Sequence, residues 1–178
     1  EIWRTGVSPE CPDNAVYVSR PVVAHGTVYL SVVTRELEST SLLLALDART
    51  GEIRWSTFIA SGTKYDPWAL GLSGSVPVVG RGRVYLCTNM GAVVALDAAS
   101  GRIDWLVKYQ PFTRTMKHYF TRERRRWAPG STILSGGRLF AAPQDSTWLL
   151  SLDADTGEAA WRFPRVTYGE GRYIVDCG

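Results

Sequence analysis

The stretch Ala45-Leu-Asp-Ala-Arg-Thr-Gly51-Glu-Ile-Arg-Trp55 returns twice more in this chain, and that recurrence decides the fold. Its other copies are Ala95-Leu-Asp-Ala-Ala-Ser-Gly101-Arg-Ile-Asp-Trp105 and Ser151-Leu-Asp-Ala-Asp-Thr-Gly157-Glu-Ala-Ala-Trp161. Trp3 fits the tail of a preceding copy, so the tryptophans recur at intervals of 52, 50 and 56 residues. A fixed period of this length marks an array of small supersecondary units that stack on one another.

Each motif position has a physical task. The residues before it (42–46, 92–96 and 148–152) are largely apolar and read as buried strands. Asp47, Asp97 and Asp153 then sit where a short carboxylate can accept hydrogen bonds from the turn's own N–H groups. Gly51, Gly101 and Gly157 supply the positive φ that the reversal requires. Trp55, Trp105 and Trp161 lie on the return strand, where a large flat ring suits packing between neighbouring sheets.

A second hairpin precedes each motif. Pro21-Val-Val-Ala-His-Gly26-Thr-Val-Tyr-Leu-Ser, Pro77-Val-Val-Gly-Arg-Gly82-Arg-Val-Tyr-Leu-Cys and Ser131-Thr-Ile-Leu-Ser-Gly-Gly137-Arg-Leu-Phe-Ala all place glycine at a tight turn. Every repeat is therefore four short antiparallel strands, here called A to D. A lone sheet of this kind exposes two faces and two edges, so it must stack on its copies. The expected fold is all-β, a β-propeller of four-stranded antiparallel blades.

With these residues in view, Ala-x-Asp-x-x-(Thr/Ser)-Gly-x-x-x-Trp resembles the tryptophan-docking motif of the PQQ-type propeller repeat family. That family includes quinoprotein dehydrogenases and the outer-membrane assembly lipoprotein of the β-barrel machinery. The resemblance covers roughly residues 19–164 and implies a ring of seven or eight blades. Blades are expected at residues 19–58, 74–108 and 132–164, with the end of a preceding blade at 1–4 and the start of a following one at 172–178. Three blades cannot close such a ring, so the remaining blades are expected in the same, longer chain.

Composition bounds the class. A chain of 178 residues with 45% hydrophobic and 21% charged residues has the balance of a globular protein. No apolar run approaches the roughly 18–20 residues of a membrane span. Cys11, Cys87 and Cys177 are odd in number and fit neither a CxxC pair nor a haem attachment. His25 and His118 are too isolated to form a metal pair.

Charge is concentrated in one place. Residues 109–131 hold Arg114, Lys117, Arg122, Arg124, Arg125 and Arg126 against Glu123, a local +5 in a chain of net +3. Met116, Tyr119, Phe120 and Trp127 would share one face of a short helix between Pro111 and Pro129. Three readings stay open for this insertion: a solvated basic loop packed on the propeller, a docking site for an acidic protein or an anionic membrane surface, and nucleic-acid binding. The last has no recognised module behind it.

In a four-stranded meander the A–B and C–D turns emerge on one side of the ring, the B–C and D–A connections on the other. The first set is short and uniform here. The second varies: residues 34–41 against 89–91 and 143–147, then 59–75 and 109–131. Variable loops on a rigid frame carry function. The candidate interaction residues are therefore Tyr65, Asp66 and Trp68 in one loop, with Arg114, Lys117, His118, Tyr119, Arg122, Arg124, Arg125, Arg126 and Trp127 in the other. Lys64 adjoins the first group.

For chemistry, the resemblance to quinoprotein dehydrogenases implies PQQ with Ca²⁺ on the ring axis, a stacked Trp, a vicinal disulfide and an Asp base. No adjacent cysteines occur in this sequence, and the motif aspartates occur once per repeat, as structural residues do. No catalytic residue and no cofactor is therefore expected in this segment. The expected function is a non-catalytic protein-interaction scaffold, which the resemblance sets in the periplasm or cell envelope. The alternative is part of a PQQ- and Ca-dependent dehydrogenase whose site lies in other blades.

Overall fold

The structure, a computed structural model, describes residues 15–17, 19–34, 38–63, 75–111, 131–143 and 145–164. Among these there are thirteen strands and no helix. They form three antiparallel sheets, one of five strands and two of four, each a propeller blade.

The first blade comprises β1 (Ala15–Tyr17), β2 (Val22–Ala24), β3 (Thr27–Thr34), β4 (Glu38–Asp47) and β5 (Ile53–Thr63). Both β1 and β2 pair with the same edge of β3, so its inner strand A is in two pieces. Pro21 stands between them, where a residue without an N–H would interrupt a ladder. The second blade is β6 (Val78–Gly80), β7 (Arg83–Cys87), β8 (Ala92–Asp97) and β9 (Ile103–Lys108). The third is β10 (Ser131–Ser135), β11 (Arg138–Ala142), β12 (Trp148–Asp153) and β13 (Ala159–Pro164).

The A–B turns have the geometry of two consecutive left-handed residues. His25 and Gly26 have φ of 48° and 71°, Arg81 and Gly82 55° and 74°, and Gly136 and Gly137 54° and 75°. That is the primed hairpin turn, whose twist matches the flanking strands.

Parts of two stretches read as loops are strand. β4 begins at Glu38 and β5 runs on to Thr63, so residues 38–41 and 59–63 extend the first blade's outer hairpin through the pairs Glu38↔Thr63 to Ser41↔Ala60. The segment is rich in Ser and Thr, and it pleats with Ser39 and Ser41 buried. A bulge after Ser41 leaves Ile59 without a cross-strand partner; its side chain packs into the interior while Phe58 faces solvent.

The core lies between blades. Tyr29, Leu43, Ala45 and Ile59 of the first blade pack on Val84, Leu86, Val94 and Leu96 of the second. Tyr85, Cys87, Val93, Ala95 and Trp105 on the second blade's opposite face pack on Leu139, Ala141, Leu150, Leu152 and Ala154 of the third. Alternation along each strand sends one set of side chains to each neighbour, which is why β8 reads as a continuous apolar run.

Candidate functional site

The two ends of each seam between blades are built differently. At the A–B and C–D end, the same construction appears three times. Oδ1 of Asp47 accepts from the N–H groups of Arg49 and Thr50 at 2.8 and 2.9 Å. Oδ1 of Asp97 accepts from the Ser100 N–H and hydroxyl at 2.8 and 2.6 Å. Oδ1 of Asp153 accepts from the N–H groups of Asp155 and Thr156, each at 3.0 Å. The N–H groups of Gly51, Gly101 and Gly157 close the turns onto the aspartates' own carbonyls. Ala48, Ala98 and Ala154 donate in turn to Gly26, Gly82 and Gly137, tying each C–D turn to the A–B turn of its blade.

These bonds stabilise the ionised form of each carboxylate. Arg54, followed by the Thr50 N–H, holds Asp47 far below the usual carboxylate range. The Ser100 hydroxyl does most to lower Asp97, and the Thr156 N–H does most to lower Asp153.

The tryptophans follow from a shared irregularity. In all three blades the D strand carries one extra residue before the Trp: Ala45 pairs with Trp55 but Leu46 with Ile53, Ala95 with Trp105 but Leu96 with Ile103, and Ser151 with Trp161 but Leu152 with Ala159. Such a bulge kinks the strand and re-aims the next side chain. Trp55 Nε1 donates to the Ala98 carbonyl at 3.2 Å, and Trp105 Nε1 to the Ala154 carbonyl at 3.1 Å. Each indole lies on the glycine of the next blade's turn, Gly101 or Gly157, so closely that a Cβ there would come within 2.6 or 2.8 Å of the ring.

Polar groups outside the motif distinguish the two seams. In the first, the Tyr29 and Thr57 hydroxyls donate to the carbonyls of Ala98 and Gly101. In the second, Arg83 bridges Asp104 of its own blade at 2.9 Å and Asp155 of the next at 2.8 Å, while Arg81 also binds Asp155. The adjacent Arg81 guanidinium is the main cause lowering the Asp155 carboxyl.

The B–C and D–A end of the second seam holds a different cluster. The Tyr109 hydroxyl donates to Asp145 Oδ1 at 2.6 Å, and Gly91 N–H donates to Asp145 Oδ2 at 3.0 Å. Tyr109 N–H donates to the Gly91 carbonyl at 2.9 Å. One carboxylate of the third blade thus grips both the B–C turn and the end of the D strand of the second. The Cys87 thiol lies 3.9 Å from the Tyr109 hydroxyl and 3.8 Å from Asn89 Oδ1. Burial pushes this thiol up to about 11 and raises Tyr109 strongly as well. Close by, Arg162 covers the Trp148 ring at 4.8 Å.

This geometry holds parts in place. Cys87 is a neutral thiol at physiological pH and a poor nucleophile. The turn aspartates are occupied by N–H groups. Among the described residues no cluster of three or more His, Cys, Asp or Glu could hold a metal.

The loop residues singled out from the sequence lie outside the described residues: Lys64, Tyr65, Asp66, Trp68, Arg114, Met116, Lys117, His118, Tyr119, Phe120, Arg122, Glu123, Arg124, Arg125, Arg126 and Trp127. So do Trp3, Cys11 and Cys177. Sequence reasoning missed Asp145, and it missed the Arg81–Arg83–Asp155 group. The only signal for Asp145 was the longer B–C connection of the third repeat.

A family model described as outer membrane protein assembly factor BamB matches residues 39–171. The dehydrogenase subunit of the quinone alcohol dehydrogenase of Gluconobacter oxydans (strain 621H) is 30% identical over 165 residues, covering 85% of this chain and 20% of that relative. The structure of BamB from Moraxella catarrhalis superposes with a TM-score of 0.51 at 25% identity, over 80% of this chain and 36% of that one. A europium-containing methanol dehydrogenase shares the fold, with a TM-score of 0.55 at 16% identity, over 83% of this chain and 26% of that one. The chain spans about a fifth of the length of the curated relative it matches.

Proposed function

The chain belongs to the PQQ-type repeat family described as outer membrane protein assembly factor BamB, and on that premise we propose that it is a non-catalytic binding scaffold of the bacterial cell envelope. One observation carries the reading. Asp47, Asp97 and Asp153, the carboxylates that recur through the motif, are bound by the N–H groups of their own turns in every blade. They serve rigidity, and rigidity is what a platform for variable loops requires.

The partner engages the B–C and D–A side, where Asp145 fixes the D-strand end from which residues 112–130 depart. That insertion, with Arg114, Lys117, Arg122, Arg124, Arg125 and Arg126, suits an acidic protein or one presented at an anionic membrane surface.

A second reading is favoured by the 30% identity to a quinone alcohol dehydrogenase subunit: a portion of a PQQ- and Ca²⁺-dependent enzyme. The described residues do not fit that cofactor pair. Asp47, Asp97, Asp104, Asp145, Asp153 and Asp155 are each engaged by turn N–H groups, arginines or Tyr109. Cys87 has no neighbouring cysteine with which to form a vicinal disulfide.

One experiment separates the two. Charge reversal at Arg124, Arg125 and Arg126 (each Arg→Glu) should abolish a salt-sensitive partner interaction in pull-downs, and PQQ with Ca²⁺ should leave the intrinsic tryptophan fluorescence unchanged. Partner capture that survives the reversal would sink the scaffold reading at this loop. Saturable quenching by PQQ would favour the enzyme.

A further inference from the structure

Arg162 and Trp148 form a pair that the repeat does not require. Their places are held by Ser56 and Leu42 in the first blade and by Leu106 and Ala92 in the second. The Arg162 guanidinium carbon lies over the Trp148 ring, 4.8 Å from its centre. Arg162 stands opposite Leu150, which packs in the second seam, so its side chain is on the face turned toward the second blade. A blade following β13 would stand on the opposite face. Trp148 is half-buried and packs against the core of the seam, whereas Arg162 is exposed.

Arg54, Arg81, Arg83 and Arg102 each meet a carboxylate. Arg162 is held by a ring instead, and among the described residues no carboxylate reaches it. Asp145, at the same end of the seam, is taken up by the Tyr109 hydroxyl and the Gly91 N–H.

We propose that Arg162, stacked on Trp148, is a docking point for a carboxylate side chain in an acidic segment of a protein partner. This rests on the scaffold reading above and names the partner's chemistry at a residue outside the basic insertion. A guanidinium lying over an indole keeps its N–H edges free and gives up part of its rotameric freedom before it binds. Those edges form a planar fork that meets a carboxylate with two parallel hydrogen bonds. The basic insertion departs from the same end of the same seam, just beyond Tyr109. An acidic segment lying there meets the stacked arginine together with the local +5 of residues 109–131. A polypeptide suits the place better than a membrane does. The ring is half-buried in the seam, and a planar layer of headgroups meets side chains that protrude beyond their neighbours.

The probe is hexaglutamate, titrated into the 178-residue chain at low salt and followed by the NMR resonances of the Arg162 Nε–H and the Trp148 indole N–H. Both should shift saturably. Arg162→Lys keeps the charge and removes the fork; Trp148→Leu keeps the charge and removes the ring, with the residue that Leu42 supplies in the first blade. Each should weaken binding roughly fivefold or more. Arg162→Lys should leave the urea midpoint where it was, which separates docking from folding.

Charge reversal at Arg124, Arg125 and Arg126 distinguishes this site from the insertion. Unchanged hexaglutamate binding there, with loss in Arg162→Lys, would remove the insertion's role and leave the docking point standing. Weaker binding there, with the Arg162 resonance still moving at saturation, supports both. Equal affinity of Arg162→Lys and the parent chain would overturn the proposal, and so would a titration that never moves the Arg162 resonance. Vesicles of phosphatidylcholine and phosphatidylglycerol that move both resonances where hexaglutamate does not would overturn it as well.

Discussion

The indole nitrogen of Trp105 donates to the carbonyl of Ala154 at 3.1 Å, joining two blades through residues 49 positions apart. Trp55 and Ala98 repeat the bond one blade earlier. The tryptophan is therefore a connector that belongs to one sheet and completes the next. Its efficacy depends on a residue without a side chain at the receiving turn.

That dependence separates two glycines with nearly the same backbone. Gly137 and Gly157 have φ of 75° and 77°, so alanine is strained equally at both. Around Gly137 a Cβ would meet nothing within 4 Å, whereas at Gly157 it would lie 2.8 Å from Trp105 Cδ2. Gly137→Ala should cost about 1 kcal/mol from backbone strain alone. Gly157→Ala should cost a further ~1–3 kcal/mol, as overpacking does. Urea denaturation with unchanged m-value measures both, and equal losses would mean that the indole does not depend on the bare turn.

What was legible in the sequence was whatever recurs. The Asp, Gly and Trp positions do the same work in each blade, so the period exposes them without any knowledge of partners. Asp145 and the Arg81–Arg83–Asp155 group were invisible because each exists once and acts across a seam. Their meaning depends on which blade stands beside which, and no local pattern carries that. The length of β5 was misread for another reason. Residues 59–63 hold Ser, Gly and Thr, which suggest a loop, yet their pairing with residues 38–41 continues the hairpin. The basic insertion was conspicuous by charge, and charge speaks to partners rather than to backbone geometry.

Acid stability should report the turn carboxylates. Asp47, Asp97 and Asp153 all ionise more easily in the fold than in the free chain. The unfolded chain therefore binds more protons near its ordinary carboxylate value of about 3.9, and stability rises with pH there. The contribution is complete above that value and is lost as pH falls through the lower folded values. Asp97→Asn and Asp153→Asn keep the side-chain oxygen but remove the titration, so each should flatten the acid limb of stability against pH. Denaturation midpoints collected below about pH 5 check this; an unaltered slope in both variants would assign acid sensitivity elsewhere.

Cys87 tests how tightly the second seam is shut. Its thiol is fully buried, raised to about 11, and lies beside Tyr109, which Asp145 holds from the neighbouring blade. Thiolate is the reactive form, so burial suppresses both the reactive population and access to it. In a Cys11→Ser, Cys177→Ser background, iodoacetamide at neutral pH should therefore label Cys87 only as fast as the protein opens. Labelling should accelerate across the urea transition and parallel the loss of folded signal. Asp145→Ala should raise the native-state rate, because it releases the Tyr109 hydroxyl and the Gly91 N–H while leaving the apolar contacts of Val93, Leu139 and Ala141 in place. Rapid labelling of the parent chain in the absence of urea would show that the seam opens without unfolding. In that case Asp145 could not be what holds the D-strand end in place.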